Sequence, residues 1–369
     1  MRTLDTQDIE DLATGAAILG TGGGGDPYLG KLMAIQAIEK HGPVELLDPD
    51  EVPDDALVIP SAMMGAPTVM VEKIPRGDEA VQAFRALERY MDQEAFATMS
   101  IEAGGLNSTV PLAVAATLDM PIVDADGMGR AFPEIPQTTL TLGGIDATPM
   151  AMADEKDNAV FLETIDNTWT ERFSRSISID MGGSAMIALY SVTGEELQDH
   201  TIHHSMTHAQ DIGRTIRELK ETAREPIDVL CERFDGFHLF HGKVTDVFRR
   251  TREGFAQGEA ELEGMGDFAG NELSIKFQNE FLVAQTADEV LATTPDLISI
   301  IESETGDPVT TEDLQYGYRV DVLGLQCAPH WRTADGIELG GPAFFEYDID
   351  YVPIEDRVAD SAVARGGST

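Results

Sequence analysis

The chain has 369 residues, 42% of them hydrophobic, with 66 Asp and Glu against 25 Lys and Arg, giving a formal net charge of -41. That charge argues against nucleic acid and anionic membrane surfaces as partners, since both are met by basic faces. The apolar content argues against disorder, and no run reaches the ~18 apolar residues of a membrane span. Lysine is scarce: Lys31, Lys40, Lys73, Lys156, Lys220, Lys243 and Lys276 are the full set, and the acid is spread along the whole chain. A carboxylate-rich, lysine-poor surface stays hydrated in molar salt, where the Debye length falls to ~3 Å. We read it as a halophile's protein. The opening Met1-Arg2-Thr3-Leu4-Asp5 has no basic-then-apolar leader, and Cys231 and Cys327 form no CxxC pair, so a cytoplasmic location with inert, buried thiols is expected.

At roughly 150 residues per domain the length suggests two. In the first, 1–215, helix and strand alternate. Ile9, Leu12, Ala13, Ala16 and Leu19 recur at helical spacing. The run Gly22–Gly25 follows, and Asp26-Pro27 reads as N-cap and first position of a second helix. Short apolar runs at Val44–Leu47, Ala56–Pro60, Ala95–Met99 and Pro121–Val123 read as buried strands, separated by helical stretches near Asp78–Gln93 and Ser108–Leu118. This order predicts an α/β domain with a mainly parallel sheet, whose ligands bind beyond the C-terminal strand ends. A charged helix closes the half over Gly213–Ala223. The second domain, 216–369, reads as β-rich, of α+β type, with strands at His238–Val244, Glu272–Phe277, Phe281–Gln285, Leu297–Ile301 and Tyr318–Leu323.

The glycine run satisfies GxGxxG from Gly20 to Gly25, but a helix precedes it where a dinucleotide site has a strand. Gly25 with Gly30-Lys31 satisfies GxxxxGK, but Leu32 stands where a nucleotide loop has its hydroxyl. No nucleotide is expected. Gly22, Gly23, Gly24 and Gly25 instead read as an anion cradle, helped by the helix N-terminus at Asp26, or as a tight helix–helix connection. Glu102 and Asn107 occupy one predicted strand-end loop and Asp124, Asp126, Arg130 and Glu134 the next. Carboxylates converging there read as a base, a proton carrier or ligands of a divalent metal such as zinc, with Arg130 as an anion anchor, or as solvated acid. His204 and His208, at i,i+4 spacing, are weak metal candidates beside a polar helix start, because no HExxH accompanies them. Met63-Met64 and the pair Met150 and Met152 read as core.

Several segments carry a family likeness: Leu19–Tyr28, Asp124–Glu134, Gly242-Lys243-Val244, Phe277–Glu280, Pro295–Ile298 and Gly341–Asp348. In this order, from end to end, the chain resembles the S-methyl thiohydantoin desulfurase-like family, whose members often accompany hydantoinase or oxoprolinase proteins. The resemblance adds Tyr28, Asn279 and Glu280 to the candidate site. It implies a hydrolase of a five-membered cyclic amide that converts a thiohydantoin or S-methyl thiohydantoin to a hydantoin. The alternatives are a hydantoin or oxoproline hydrolase and a non-catalytic partner of hydantoinase subunits. A homo-oligomer is expected. In this reading Asp124 or Asp126 is base or metal ligand and Glu102 the proton carrier. The glycine run cradles the ring anion, and Asn279-Glu280 closes the cleft from the second half.

Overall fold

The computed structural model describes residues 2–65, 76–220, 222, 224–252 and 255–366. The first half opens with β1 (Arg2–Leu4) and α1 (Thr6–Leu19). Asp5 caps α1, accepting from the Asp8 N–H while the Asp8 carboxylate takes the Asp5 N–H. Helix α2 (Pro27–His41) starts on Asp26 and ends at Gly42, whose φ of 115° a side chain would oppose. Then follow β2 (Val44–Leu47), β3 (Leu57–Gly65), α3 (Glu79–Met91), β4 (Ala97–Ser100), α4 (Val110–Leu118), β5 (Ile122–Val123) and β6 (Ala125–Asp126). β7 (Met150–Ala153), β8 (Ala159–Leu162), α5 (Asn167–Asp180), β9 (Ser184–Ala188), β10 (Val192–Thr193), β11 (Ile202–His203) and α6 (Ser205–Leu219) complete it.

One sheet runs β1-β2-β5-β4-β3-β9-β7-β8, with β10 beside β3. The expected parallel pairings lie at its centre, β2 with β5, β5 with β4 and β4 with β3. Antiparallel strands flank them. Apart from the exposed Glu45 of β2, these strands are buried along nearly their whole lengths, as a sheet covered on both faces requires. β3 continues five residues past the predicted Pro60, because Ser61–Gly65 pair with β9 and the Pro60 carbonyl still accepts from Leu189. The charged helix expected to finish over Gly213–Ala223 starts at Ser205, beside the histidine cluster that reads as a polar helix start. Its described part ends at Leu219, and Ala223 lies outside the described residues.

The second sheet is antiparallel and runs β16-β15-β14-β13-β12-β19-β17-β18, with β20 beside β12. Its strands are β12 (Phe237–Arg252), β13 (Phe255–Gly264), β14 (Glu272–Gln278), β15 (Glu280–Gln285), β16 (Val290–Thr293), β17 (Leu297–Glu302), β18 (Pro308–Val309), β19 (Arg319–Leu325) and β20 (Arg365–Gly366). The largest buried cluster joins both halves: Ile18, Leu19 and Ala125 pack in one core with Leu297, Leu325 and Trp331. Among the described residues no helix is long and apolar enough to cross a membrane.

Candidate active site

The site is assembled from loops at the ends of sheet strands, drawn together by the glycine run. Thr21, Gly22, Gly24 and Gly25 all have positive φ, so the chain doubles back between α1 and α2. A Cβ at Gly23 would run into the Glu280 carboxylate, and one at Gly24 into the Gly104 Cα. The Gly24 carbonyl accepts from Leu106 N at 2.9 Å and Asn107 N at 3.3 Å. The Thr21 carbonyl accepts from Phe281 N at 2.7 Å, and that of Gly22 from Thr311 N at 3.0 Å. The run thus binds the β4 loop to one side and the second sheet to the other.

Between them lies a cleft of about 660 Å³, including its open mouth. Gly24, Gly25, Glu102, Asn107, Glu134, Asn279 and Glu280 line it, so residues from all four predicted segments meet there. Its walls include Met63, Met64, Ile101, Met128, Phe132 and Ile187.

Glu102 follows β4 and is 5% exposed. Its Oε1 accepts from Asn107 Nδ2 at 2.6 Å and its Oε2 from Phe132 N at 3.4 Å. Asn107 is fixed in turn, accepting from Met63 N at 2.7 Å and donating to Met63 O at 3.1 Å. Burial pushes the Glu102 carboxyl up to about 7, against the pull of those donors, and the charge of Asp126 pushes it further. Glu280, at the start of β15, is pushed well above the ordinary range by burial and then by the charge of Glu102. Its buried Oε2 has no hydrogen-bond partner among the described residues. Burial, with the charge of Glu171, raises Glu134 to about 7. Arg175, on α5, is the one cationic side chain lining the cleft among the described residues. It donates to Glu171 Oε1 at 2.6 Å and to the Pro133 carbonyl at 2.9 Å. Asn279 sits at φ 59° and accepts from Ala256 N at 2.8 Å, which shapes the rim.

Other expected residues stand elsewhere. Asp124 does not reach the cleft: its carboxylate accepts from the Thr207 N–H and hydroxyl, capping the first turn of α6. Asp126 is also off the lining. Its Oδ1 accepts from Met128 N and Gly129 N at 2.5 Å each, and burial raises it to about 6. Arg130 is not a substrate anchor. It is 0% exposed and donates to the carbonyls of Pro295 and Asp296 at 2.9 Å and to the Thr21 hydroxyl at 2.9 Å. It is a strut between the two halves. Asp26 fills the N-terminus of α2 with its own carboxylate, accepting from Tyr28 N and Leu29 N, so that helix end is closed to a ligand anion. Gly22 and Gly23 pack against Phe281 and Glu280, which leaves Gly24 and Gly25 as the part of the run facing the cleft. Tyr28 is 63% exposed and away from the cleft.

The His204–His208 pair does not form a metal site. His204 caps α6 at φ 60°, with its imidazole near Asp124 and Asp48, while His208 packs edge-on against Phe234. Among the described residues no three His, Cys, Asp or Glu side chains converge as metal ligands would. Both cysteines are buried, and burial pushes their thiols up to about 12.

Sequence reading missed Arg175 and underrated Met63 and Met64, which are core residues whose side chains also line the cleft. Arg175 lies in an ordinary amphipathic helix and carries no local signal. The methionines lie in the part of β3 beyond Pro60, past the apolar run that predicts the strand.

No match is found among curated proteins. Among solved structures the chain resembles a crystal structure of a protein from Chromobacterium violaceum, a structural-genomics target. The TM-score is 0.79 at 25% identity, over 96% of this chain and 100% of that one. Residues 7–164 match the S-Me-THD-like N-terminal domain and residues 165–354 the S-Me-THD-like C-terminal domain. By that division Glu102 comes from one domain and Glu280 from the other, and together the two matches span nearly the whole chain: it belongs to the S-Me-THD-like family.

Proposed function

We propose that the protein is a hydrolase of a five-membered cyclic amide, converting an S-methyl thiohydantoin to a hydantoin with release of a thiol. The observation that carries this reading is the pair Glu102 and Glu280. They are two buried carboxyl groups in one apolar-walled cleft, Glu102 raised to about 7 and Glu280 well above the ordinary carboxyl range by burial. A carboxyl near 7 serves as a base in one protonation state and an acid in the other.

Ionised Glu102 takes a proton from water as the water oxygen bonds to the ring carbon bearing sulfur. The C=N electron pair moves to the ring nitrogen, which takes a proton from Glu280. The tetrahedral carbon then expels sulfur. Glu102 returns its proton to the leaving thiolate, the hydroxyl proton passes to Glu280, and the C=O bond forms. Both carboxyls end as they began. Asn107 holds Glu102 in position. The N–H groups of Gly24 and Gly25 donate to no protein acceptor among the described residues and are the donors for the developing ring anion. Arg175 and Glu134 face the ring's carbonyl side, and the methionine-lined wall suits a methylthio group.

The test is release of thiol from S-methyl thiohydantoin by the purified protein, with the hydantoin identified by mass. Glu102→Gln should lower the rate at least ~10²-fold while leaving the fold intact. Ring opening without thiol release would replace this reading by a hydantoin or oxoproline hydrolase. Failure of the wild type to turn over any such ring would leave a hydantoinase partner subunit in its place.

A further inference from the structure

A second groove, of about 1290 Å³ including its mouth, opens beside the cleft and shares Glu134 with it. The two also meet where Arg175, which lines the cleft, lays its guanidinium 4.4 Å from the ring of Phe255, which lines the groove. The floor of the groove is a patterned face of the second sheet. Two cross-strand rows lie across β12, β13 and β14: Phe248, Glu259 and Lys276 in one, Arg250, Gln257 and Gln278 in the other. Members of the rows are two residues apart along each strand, so they stand on the same side of the sheet, about 6.6 Å from row to row. Gln257 Nε2 donates to Gln278 Oε1 at 2.9 Å, and the Lys276 ammonium lies 5.8 Å from the ring of Tyr347. Phe344, Phe345 and Tyr347 form the opposite wall.

We propose that this groove binds an extended, amide-bearing chain attached to the ring, so that the natural substrate is a thiohydantoin carrying a peptide-like substituent. The inference rests on the ring-hydrolase reading and adds its substrate class. Three features support it. The cleft is the smaller and more closely walled of the two spaces, and the groove offers the larger one next to it. The floor presents donors and acceptors in rows at the two-residue period of an extended chain, and the aromatic wall offers flat faces to amide planes. The groove also mixes both signs, with Arg250 and Lys276 among Glu134, Glu259 and Glu346, in a chain of net charge -41 that has only seven lysines. Neither a simple anion nor a simple cation matches such a floor, whereas a backbone of alternating N–H and C=O groups does.

The experiment compares the bare S-methyl thiohydantoin with the same ring carrying a tripeptide-length chain, and measures calorimetrically the binding of the two corresponding hydantoins to the wild type. The extended ring should have a kcat/KM at least tenfold higher, carried by KM. Gln257→Ala and Lys276→Ala should each lower that preference, the ratio of the two kcat/KM values, about tenfold. A merely structural defect lowers both values and leaves the ratio unchanged. Equal kcat/KM for the two rings, or a ratio unmoved in both variants, overturns the groove and leaves the hydrolase reading standing. If neither ring is turned over but the extended hydantoin binds more tightly, and Lys276→Ala removes the difference, the groove stands and the hydrolase reading falls. Equal binding of the two hydantoins in that case removes both.

Discussion

Replacing Asn107 by alanine tests how Glu102 is tuned. The amide donates to Glu102 Oε1 at 2.6 Å and is itself pinned by two hydrogen bonds to Met63. Its donation favours the charged carboxylate and opposes the upward push of burial that leaves Glu102 at about 7. A hydrogen bond to an ionised group contributes roughly 1.5–3 kcal/mol. At 1.36 kcal/mol per pH unit, losing it moves Glu102 up by about one to two units. The base must be ionised to act, so activity rises with pH through this value, and the acid limb of the kcat/KM profile should move from near 7 to about 8–9. At pH 7 the ionised fraction then falls from about half to between a tenth and a hundredth, a loss of about 5- to 50-fold that recovers by pH 9–10. The assay is thiol release across pH 5–10, with a melting curve to confirm folding. An acid limb that stays at its wild-type position, or a loss that persists at high pH, refutes the role given to Asn107 and with it the assignment of Glu102 as base.

Stability should fall as pH rises from about 5 to about 8, because Glu102 and Glu134 at about 7 and Asp126 at about 6 hold protons in the native state that ordinary carboxyls of the unfolded chain have released. The shift of Glu102 from 4.5 to about 7 contributes about 3 kcal/mol to this slope, so Glu102→Gln should raise the melting temperature at pH 8 and flatten its pH dependence; an unchanged slope argues against a buried acid there. Asp124→Asn should cost about 1 kcal/mol through the α6 cap yet leave kcat within about twofold, and a collapse of kcat with the fold intact would return Asp124 to the catalytic set. Arg130→Met strands the carbonyls of Pro295 and Asp296 and should destabilise the chain by about 3 kcal/mol or more, read as a lowered melting temperature. With a charge of -41, the melting temperature should climb from ~0.1 M to molar KCl, and a flat curve would remove the halophilic reading of the surface.

Much of the architecture was legible because its signals are local. Asp26-Pro27 announces the start of α2, the apolar runs announce the central strands, and consecutive glycines announce a place where backbones meet closely. The strand-end rule then put Glu102 and Asn107 in the cleft from position alone. What failed depended on partners far along the chain. Asp124 looks like a catalytic carboxylate until Thr207 arrives eighty-three residues later to use it as a cap. Arg130 looks like an anchor until the carbonyls at Pro295 and Asp296 surround it. Strand β13 carries a weak signal because between Phe255 and Leu262 it runs through Ala, Gln, Gly and Glu without the bulky apolar residues that mark its neighbours.

The strut at Arg130 and the stitched carbonyls of Thr21 and Gly22 also bear on biosynthesis. Glu102 leaves the ribosome long before Glu280, and until β15 arrives the face around Ile18 and Leu19 lacks the cover of Leu297 and Leu325. A nascent or truncated chain therefore lacks the wall that Asn279 and Glu280 add to the cleft beside Glu102. If the chain is the hydrolase proposed above, an unfinished chain should be inactive, and two halves produced separately should gain activity only by docking along this seam.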